Sequence, residues 1–186
     1  MDFIHYLESV IKVSGILKEE LHKLTKERIV KKGQLIIRNG DRCADLFFVE
    51  QGLLRGYYYN DDKEITNWFA QEGEFATCFY SFISKAASYE NIEALDDSRL
   101  LQLPYCSLQD VYIRYPETER IGRVLTESYY IKLEERLLSL RFTTAKERYD
   151  NLLVKNPALL QGAQLGHIAS YLGITQETLS RIRAKH

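Results

Sequence analysis

The apolar residues of this chain change their period once, and that change constrains the fold more than any other feature. From about Ile29 to Leu103 they come in runs of strand length: Gln34 to Arg38, Leu46 to Glu50, Leu53 to Tyr59, Glu64 to Ala70, Glu90 to Leu95 and Arg99 to Leu103. Each run is too short for a helix. Between them stand Lys32-Gly33, Asn39-Gly40-Asp41, Gln51-Gly52, Asn60-Asp61-Asp62-Lys63, Glu72-Gly73 and Asp96-Asp97-Ser98, which tolerate positive φ or hydrogen-bond their own backbone. After Pro116 the period turns helical and stays so for about 25 residues. Strands first and helices afterwards predict an α+β chain whose leading part is a small barrel or sandwich. Tyr57, Tyr58, Tyr59, Trp68 and Phe69 are expected to fill its core. Ahead of the strands, Phe3, Ile4, Leu7, Ile11, Leu17, Leu21 and Leu24 fit two short helices broken near Ser14 and Gly15.

With 186 residues, 45% hydrophobic and 27% charged, the chain can bury one ordinary core or two small ones. Its net charge of -1 by itself predicts neither a polyanion nor a membrane surface as partner. The charge is uneven, however. From Arg141 to His186 seven Lys or Arg face three acids, an excess of +4, while the first 140 residues carry -5. The basic part is the one expected to meet a polyanion. No window of roughly 20 apolar residues and no basic-then-apolar leader is present, so the expected location is soluble and cytoplasmic. Cys43, Cys78 and Cys106 are too widely and oddly spaced for a disulfide framework or a C-x-x-C metal or redox motif.

Within the helical stretch, Val124, Ile131 and Leu138 recur every seven residues, the seam of a helix that packs along a partner helix. A dimer interface is the expected use, although Ser128 and Glu135 fall where a second apolar row should be. Thr144-Ala145-Lys146-Glu147 reads as a capping box that starts a new helix. That makes Arg141-Phe142-Thr143 a hinge ahead of a C-terminal unit with helices over roughly Ala145 to Lys155, Gln164 to Leu172 and Gln176 to Lys185.

The last 22 residues carry the functional signal. Leu165, Ile168, Ala169 and Leu172 form a one-sided stripe, Gly173 breaks the helix, and Ile174, Leu179 and Ile182 continue the buried set. Two helices at so tight a turn need a small residue where they touch, Ala169, and a positive-φ residue in the turn, Gly173. Thr175 can cap the second helix, which leaves Gln176, Glu177, Ser180 and Arg181 facing outward at the end that would enter a major groove. Arg181 can fork two donors onto guanine, Glu177 can accept from cytosine, and Gln176 or Ser180 can adapt to several bases. Thr178 lies beside these residues. Arg183, Lys185 and the N–H groups opening the first helix, near His167, are candidate phosphate contacts.

These pieces together resemble the Crp/Fnr family of bacterial transcription regulators. The resemblance runs through Val30-Lys31-Lys32-Gly33, Asn39-Gly40-Asp41, Phe48-Val49-Glu50-Gln51-Gly52-Leu53-Leu54-Arg55, Glu72-Gly73-Glu74-Phe75 and, most specifically, Leu172-Gly173-Ile174-Thr175-Gln176-Glu177-Thr178-Leu179-Ser180-Arg181. It implies a cyclic-nucleotide-binding-like β-barrel or jelly-roll sensor over residues 1–115, a dimerisation helix and hinge over 116–142, and a winged helix-turn-helix over 143–186. It also implies double-stranded DNA and a second copy of the chain as partners, with RNA polymerase and an unidentified small-molecule effector compatible with that role. Glu177, Ser180 and Arg181 match the family's base-reading E-x-x-S-R and would read a TGA-like half-site. Gln176 stands where the family's cAMP receptors often carry Arg.

The implied effector pocket comprises Gly73, Glu74, Phe75, Ser88, Tyr89 and Glu90, and it departs from the family. Cyclic-nucleotide binders carry Arg-(Ser/Thr)-Ala after a short helix; here Ser88-Tyr89-Glu90-Asn91-Ile92-Glu93 offers no Arg and two acids. A cyclic phosphate would meet like charge instead of a guanidinium fork, so cAMP binding in the usual manner is not expected. No cysteine precedes Cys43 to hold an iron–sulfur cluster, and none of His5, His22, His167 and His186 falls in the barrel to ligate haem. No cofactor or metal is therefore expected. Residues 29–105 contain no histidine for a cupin-type metal site, and no Ser-His-acid or Cys-His set stands out, which argues against an enzyme. The alternative is an effector-binding module whose C-terminal unit does not bind DNA specifically.

Overall fold

The computed structural model describes residues 2–184. Helices α1 (Phe3–Glu8) and α2 (Gly15–Leu24) open the chain, each capped by the residue before it: Asp2 accepts from the His5 N–H and Ser14 from that of Leu17. Eight strands follow: β1 (Lys26–Val30), β2 (Leu35–Ile37), β3 (Asp45–Gln51), β4 (Leu53–Asn60), β5 (Lys63–Gln71), β6 (Phe75–Ala76), β7 (Asn91–Ala94) and β8 (Ser98–Pro104). Helix α3 (Phe79–Ser84) interrupts them between β6 and β7.

The strands form two antiparallel sheets in the orders β1-β8-β3-β6 and β2-β7-β4-β5. Val30, Phe47, Val49, Leu54, Ile92 and Leu100 close the space between them. Of the two forms expected, barrel or sandwich, the strands take the second: each sheet is hydrogen-bonded within itself, and no ladder joins one to the other among the described residues.

The six sequence runs fall on β2, β3, β4, β5, β7 and β8, and the turn glycines 33, 40, 52 and 73 all have positive φ. The tyrosine run does not behave as expected. A strand alternates its faces, so Leu54 and Gly56 point into the sandwich while Arg55, Tyr57 and Tyr59 point out of it. Tyr57 is buried on that outer face and Tyr59 is half-exposed. Gly56 stands opposite Trp68, and a side chain there would collide with the indole.

Helix α4 (Tyr105–Arg114) and a 3₁₀ turn (Pro116–Thr118) lead into α5 (Glu119–Phe142), a helix of 24 residues of which only Ile121 is buried. Arg141 and Phe142 continue this helix, and the break falls at Thr143 and Thr144. The capping box is formed: Thr144 Oγ1 accepts from the Glu147 N–H, and Glu147 accepts from the Thr144 N–H at 2.7 Å. It starts α6 (Ala145–Lys155), followed by α7 (Leu159–Gly162), α8 (Leu165–Tyr171) and α9 (Gln176–Arg183).

The C-terminal helices share a core of Tyr149, Leu152, Leu159, Ile168, Leu172 and Leu179, to which the sheets contribute Leu53 and Leu95. No strand follows β8 among the described residues, so the expected wing is also corrected. None of the described helices is long and apolar enough to cross a membrane.

Candidate functional site

The turn between α8 and α9 is built from local chemistry. Gly173 adopts φ 67°, and the Ile174 N–H turns back to the Ala169 carbonyl at 3.0 Å. A Cβ on Gly173 would be strained by this left-handed backbone and would also come within 2.8 Å of the tip of Leu140 on α5, which would have to shift. Thr175 Oγ1 then caps α9 by accepting from the Thr178 N–H at 3.2 Å. Leu179 is fully buried beneath α9.

On the opposite side Gln176, Glu177, Ser180, Arg181 and Arg183 are exposed together with Thr175, and Thr178 is half-buried. The Glu177 carboxyl lies below its ordinary value because it accepts from its own backbone N–H and from Thr175, with the Arg181 charge adding to the effect. Arg181 leans on Thr178 at 3.4 Å and bonds no other element among the described residues, so its guanidinium remains able to fork. Lys185 lies outside the described residues.

His167 has a different setting from these residues. It is half-buried on the side of α8 that meets β5, its Nδ1 is buried without a partner, and burial followed by the nearby Arg55 charge pushes its pKa down. A ring so placed is turned toward the sheets, not toward a duplex at α9. The neighbouring contacts dock α8 firmly: Ser170 Oγ donates to the Glu64 carbonyl and accepts from the Thr66 N–H, both at 2.9 Å. Arg136 of α5 reaches the carbonyls of Tyr171 and Thr66.

Beneath this seam lies a residue whose role the sequence did not reveal. Arg55 is 2% exposed, and its Nη2 sits 2.6 Å from carboxylate oxygens of both Glu64 and Glu93. Its guanidinium stacks on Tyr57 at 4.1 Å. The signal available was an arginine at an alternating strand position; its partners lie 9 and 38 residues away and leave no local trace.

The six expected effector-pocket residues separate into two groups. Gly73 forms the turn before β6, Glu74 pairs with Lys132 of α5 at 3.0 Å, and Phe75 joins an aromatic cluster with Phe48 and the N-terminal Phe3 and Tyr6. Ser88 and Glu90 are buried elsewhere, Ser88 Oγ bonding the Glu90 backbone twice, and Tyr89 is half-exposed against Tyr80. Glu90 takes a hydrogen bond from Asn67 Nδ2 at 2.5 Å. Asn67 turns inward because it is the extra residue of a bulge opposite Gly56 and Tyr57.

Along α5, Ile131, Leu138 and Phe142 are exposed and Val124 is half-buried. Among the described residues no group of His, Cys, Asp and Glu could hold a metal ion, and the three cysteines are free thiols.

Residues 27–115 match the family described as the cyclic nucleotide-binding domain. Among curated proteins the chain is 24% identical over 173 residues to the Electron transport regulator A of Shewanella oneidensis and 23% identical over 172 residues to the Fumarate and nitrate reduction regulatory protein of Yersinia pestis. Both alignments cover 86% of this chain and 68% of the relative. Among solved structures, FixK2 from Bradyrhizobium japonicum superposes with a TM-score of 0.76 at 20% identity, covering 87% of this chain and 83% of that one. A regulator of the Crp/Fnr family from Eubacterium rectale gives 0.72 at 20% identity, covering 97% and 87%.

Proposed function

Starting from the premise that this chain is a member of the Crp/Fnr family, whose proteins are regulators and not enzymes, we propose that it is a DNA-binding transcriptional regulator. In this reading α8 and α9 act as a helix-turn-helix, and two copies joined along α5 present their α9 helices to successive major grooves of an inverted repeat, roughly 34 Å apart. Arg181, Glu177, Ser180 and Gln176 read base edges, Thr175, Thr178 and Arg183 lie against the backbone with Lys185, and His167 serves the docking of α8 instead of a phosphate.

The observation that carries the reading is the division of α9: Leu179 is fully buried while Glu177, Ser180 and Arg181 on the opposite side are solvent-exposed with no partner on another element.

Selection of bound fragments from random DNA should return an inverted repeat, and Arg181→Ala should then bind it about 1 to 3 kcal/mol more weakly while relaxing one base position. If Arg181→Ala binds the matched repeat as tightly as the parent, the base-reading role is wrong. The sensor is proposed not to respond to cAMP: Ser88 replaces the phosphate-binding arginine and Glu90 is buried beside it. Calorimetry with cAMP and cGMP should register no binding; a micromolar affinity for either would overturn this part.

A further inference from the structure

A cleft of about 910 Å³ opens between the sheets, α5 and the C-terminal helices. Its lining carries four cationic side chains, Lys132, Arg136, Arg148 and Lys155, against two carboxylates, Glu74 and Glu135. Both carboxylates are taken up by the lysines: Lys132 pairs with Glu74 at 3.0 Å and Lys155 with Glu135 at 3.1 Å. The excess of positive charge therefore rests on Arg136 and Arg148.

The fold brings these two guanidiniums to one place. Arg136 of α5 donates to the Tyr171 carbonyl at 2.9 Å, and Arg148 of α6 donates to the next carbonyl along, that of Leu172, at 2.8 Å. Each holds one further carbonyl, Thr66 for Arg136 and Thr143 for Arg148. Carbonyls at the end of a helix carry only partial charge, so these bonds dock α8 without neutralising either arginine. Neither forms an ion pair with a carboxylate among the described residues. A guanidinium has five N–H donors, and the bonds described use two on each. Burial lowers the Arg136 pKa, opposed by Tyr171 and Tyr58. Two like charges brought together repel, and an anion shared between them removes that cost.

The surfaces next to the two charges are apolar. Leu133 and Leu140 stand three residues before and four after Arg136 on the same face of α5, and Leu152 stands four after Arg148 on α6; all three line the cleft. Leu133 is 44% and Leu140 41% exposed, so α5 presents them uncovered in the single chain. Neither arginine and none of these leucines belongs to the six expected effector-pocket residues.

We propose that this end of the cleft binds an organic anion carried on a hydrocarbon body, its carboxylate or phosphate forked by Arg136 and Arg148 and its apolar part laid against Leu133, Leu140 and Leu152. Guanidinium forks match the oxygens of either anion, with charge-assisted bonds that a neutral ligand of equal shape does not receive. The leucines decide the body: the sugar hydroxyls of a cyclic nucleotide placed against them would lose water without gaining a partner. The proposal deepens the sensor reading by naming the class of effector, and rests on that reading only for the use to which binding is put.

The full-length protein, without DNA, is titrated by calorimetry with octanoate and octyl phosphate, which separate the two anions on one body. Octan-1-ol and octyltrimethylammonium carry the same body with no charge and with the opposite charge, and acetate carries the charge without the body. At least one of the two octyl anions should give a saturable heat, with octan-1-ol about ten-fold weaker or worse and no binding of octyltrimethylammonium or acetate. Arg148→Gln should weaken the anion about ten-fold. Leu133→Gln, a change at an exposed side chain, should weaken it severalfold.

No saturable heat from either octyl anion overturns the proposal, as would happen if a second copy of the chain covered these leucines. So does an alcohol or ammonium that binds as well as the anion, or an Arg148→Gln variant that melts like the parent and binds equally well. Should Arg148→Gln fail to fold, Leu133→Gln decides, and an unchanged affinity there overturns the proposal. Because DNA is absent from these titrations, their failure is distinct from a failure of the DNA-binding reading.

Discussion

Arg55 shows how much a single buried charge can organise. Its guanidinium is held by two carboxylates, one 39% and one 20% exposed, and stacks on Tyr57, while its Nε and Nη1 find no protein partner. Truncation to Ala would leave Glu64 and Glu93 close together without their cation, so Arg55→Ala should lose about 2–3 kcal/mol in chemical denaturation. Replacing all three by uncharged residues of similar size, Arg55→Met with Glu64→Gln and Glu93→Gln, should recover most of that loss. If the triple variant is no more stable than Arg55→Ala, the charges are not what matters there. His167, beside this cluster, gives a pH signature. Its folded-state pKa lies below the ordinary 6.5 because burial and the Arg55 charge disfavour the imidazolium. The unfolded chain then binds the proton more readily, so the His167 contribution holds above about pH 6.5 and is lost as the pH falls below it. Melting temperatures compared between about pH 7.5 and pH 5.5 should drop less in His167→Gln than in the parent. The residues legible in the sequence, Gly173, Thr175 and Thr144 with Glu147, act on neighbours within four positions. Arg55 and His167 owe their setting to strands and helices far apart in the chain, which no local pattern encodes.

At the scale of elements, α5 departs from an ordinary surface helix. Ile131 and Leu138 lie on one face and Leu133 and Leu140 on the other, yet all four are 41% or more exposed. In the seven-residue row Val124 is half-buried, whereas Ile131 and Leu138 are exposed in the single chain. Ile131→Glu together with Leu138→Glu should therefore convert a dimer to a monomer in light scattering. The melting of the sheet domain should stay within about 0.5 kcal/mol of the parent, since neither side chain is buried in the single chain. A dimer that survives both substitutions uses another surface. This helix was legible because its period held over many turns. Several missed elements were too short or too polar to show one: β1 reads Lys26-Glu27-Arg28 before its first apolar residue, β6 has two residues, and α3 has six with no capping side chain; the ten residues of α4 were missed as well. The family resemblance groups Gly73 and Glu74 with Ser88 in one effector pocket. The turn at Gly73 instead sends Glu74 toward Lys132 and leaves Glu90 to Asn67.

For the molecule as a whole, the C-terminal unit is joined to the sheets through Leu53, Leu95 and the Ser170 hydrogen bonds, so α9 is carried on a body that also walls the cleft. This union was not legible: it depends on the outer face of one sheet, and the sequence shows only that strand faces alternate. The charge division was legible, since the excess of +4 after residue 140 is simple arithmetic. The excess has a measurable consequence if α9 meets DNA. Binding that neutralises phosphates releases counterions, and the logarithm of affinity falls with the logarithm of salt at about 0.9 per phosphate. Arg183 and Lys185 in each of two copies predict a slope near -4 for a matched inverted repeat. Arg183→Ala should reduce the steepness by about 2 in the dimer and weaken matched and unmatched sequences alike, because phosphate contacts position the protein without reading sequence. Arg181→Ala should instead narrow the gap between matched and unmatched sequences. The two arginines lie two positions apart on the same helix, so opposite signatures would separate base reading from backbone attraction; identical signatures would reduce α9 to a patch of positive charge.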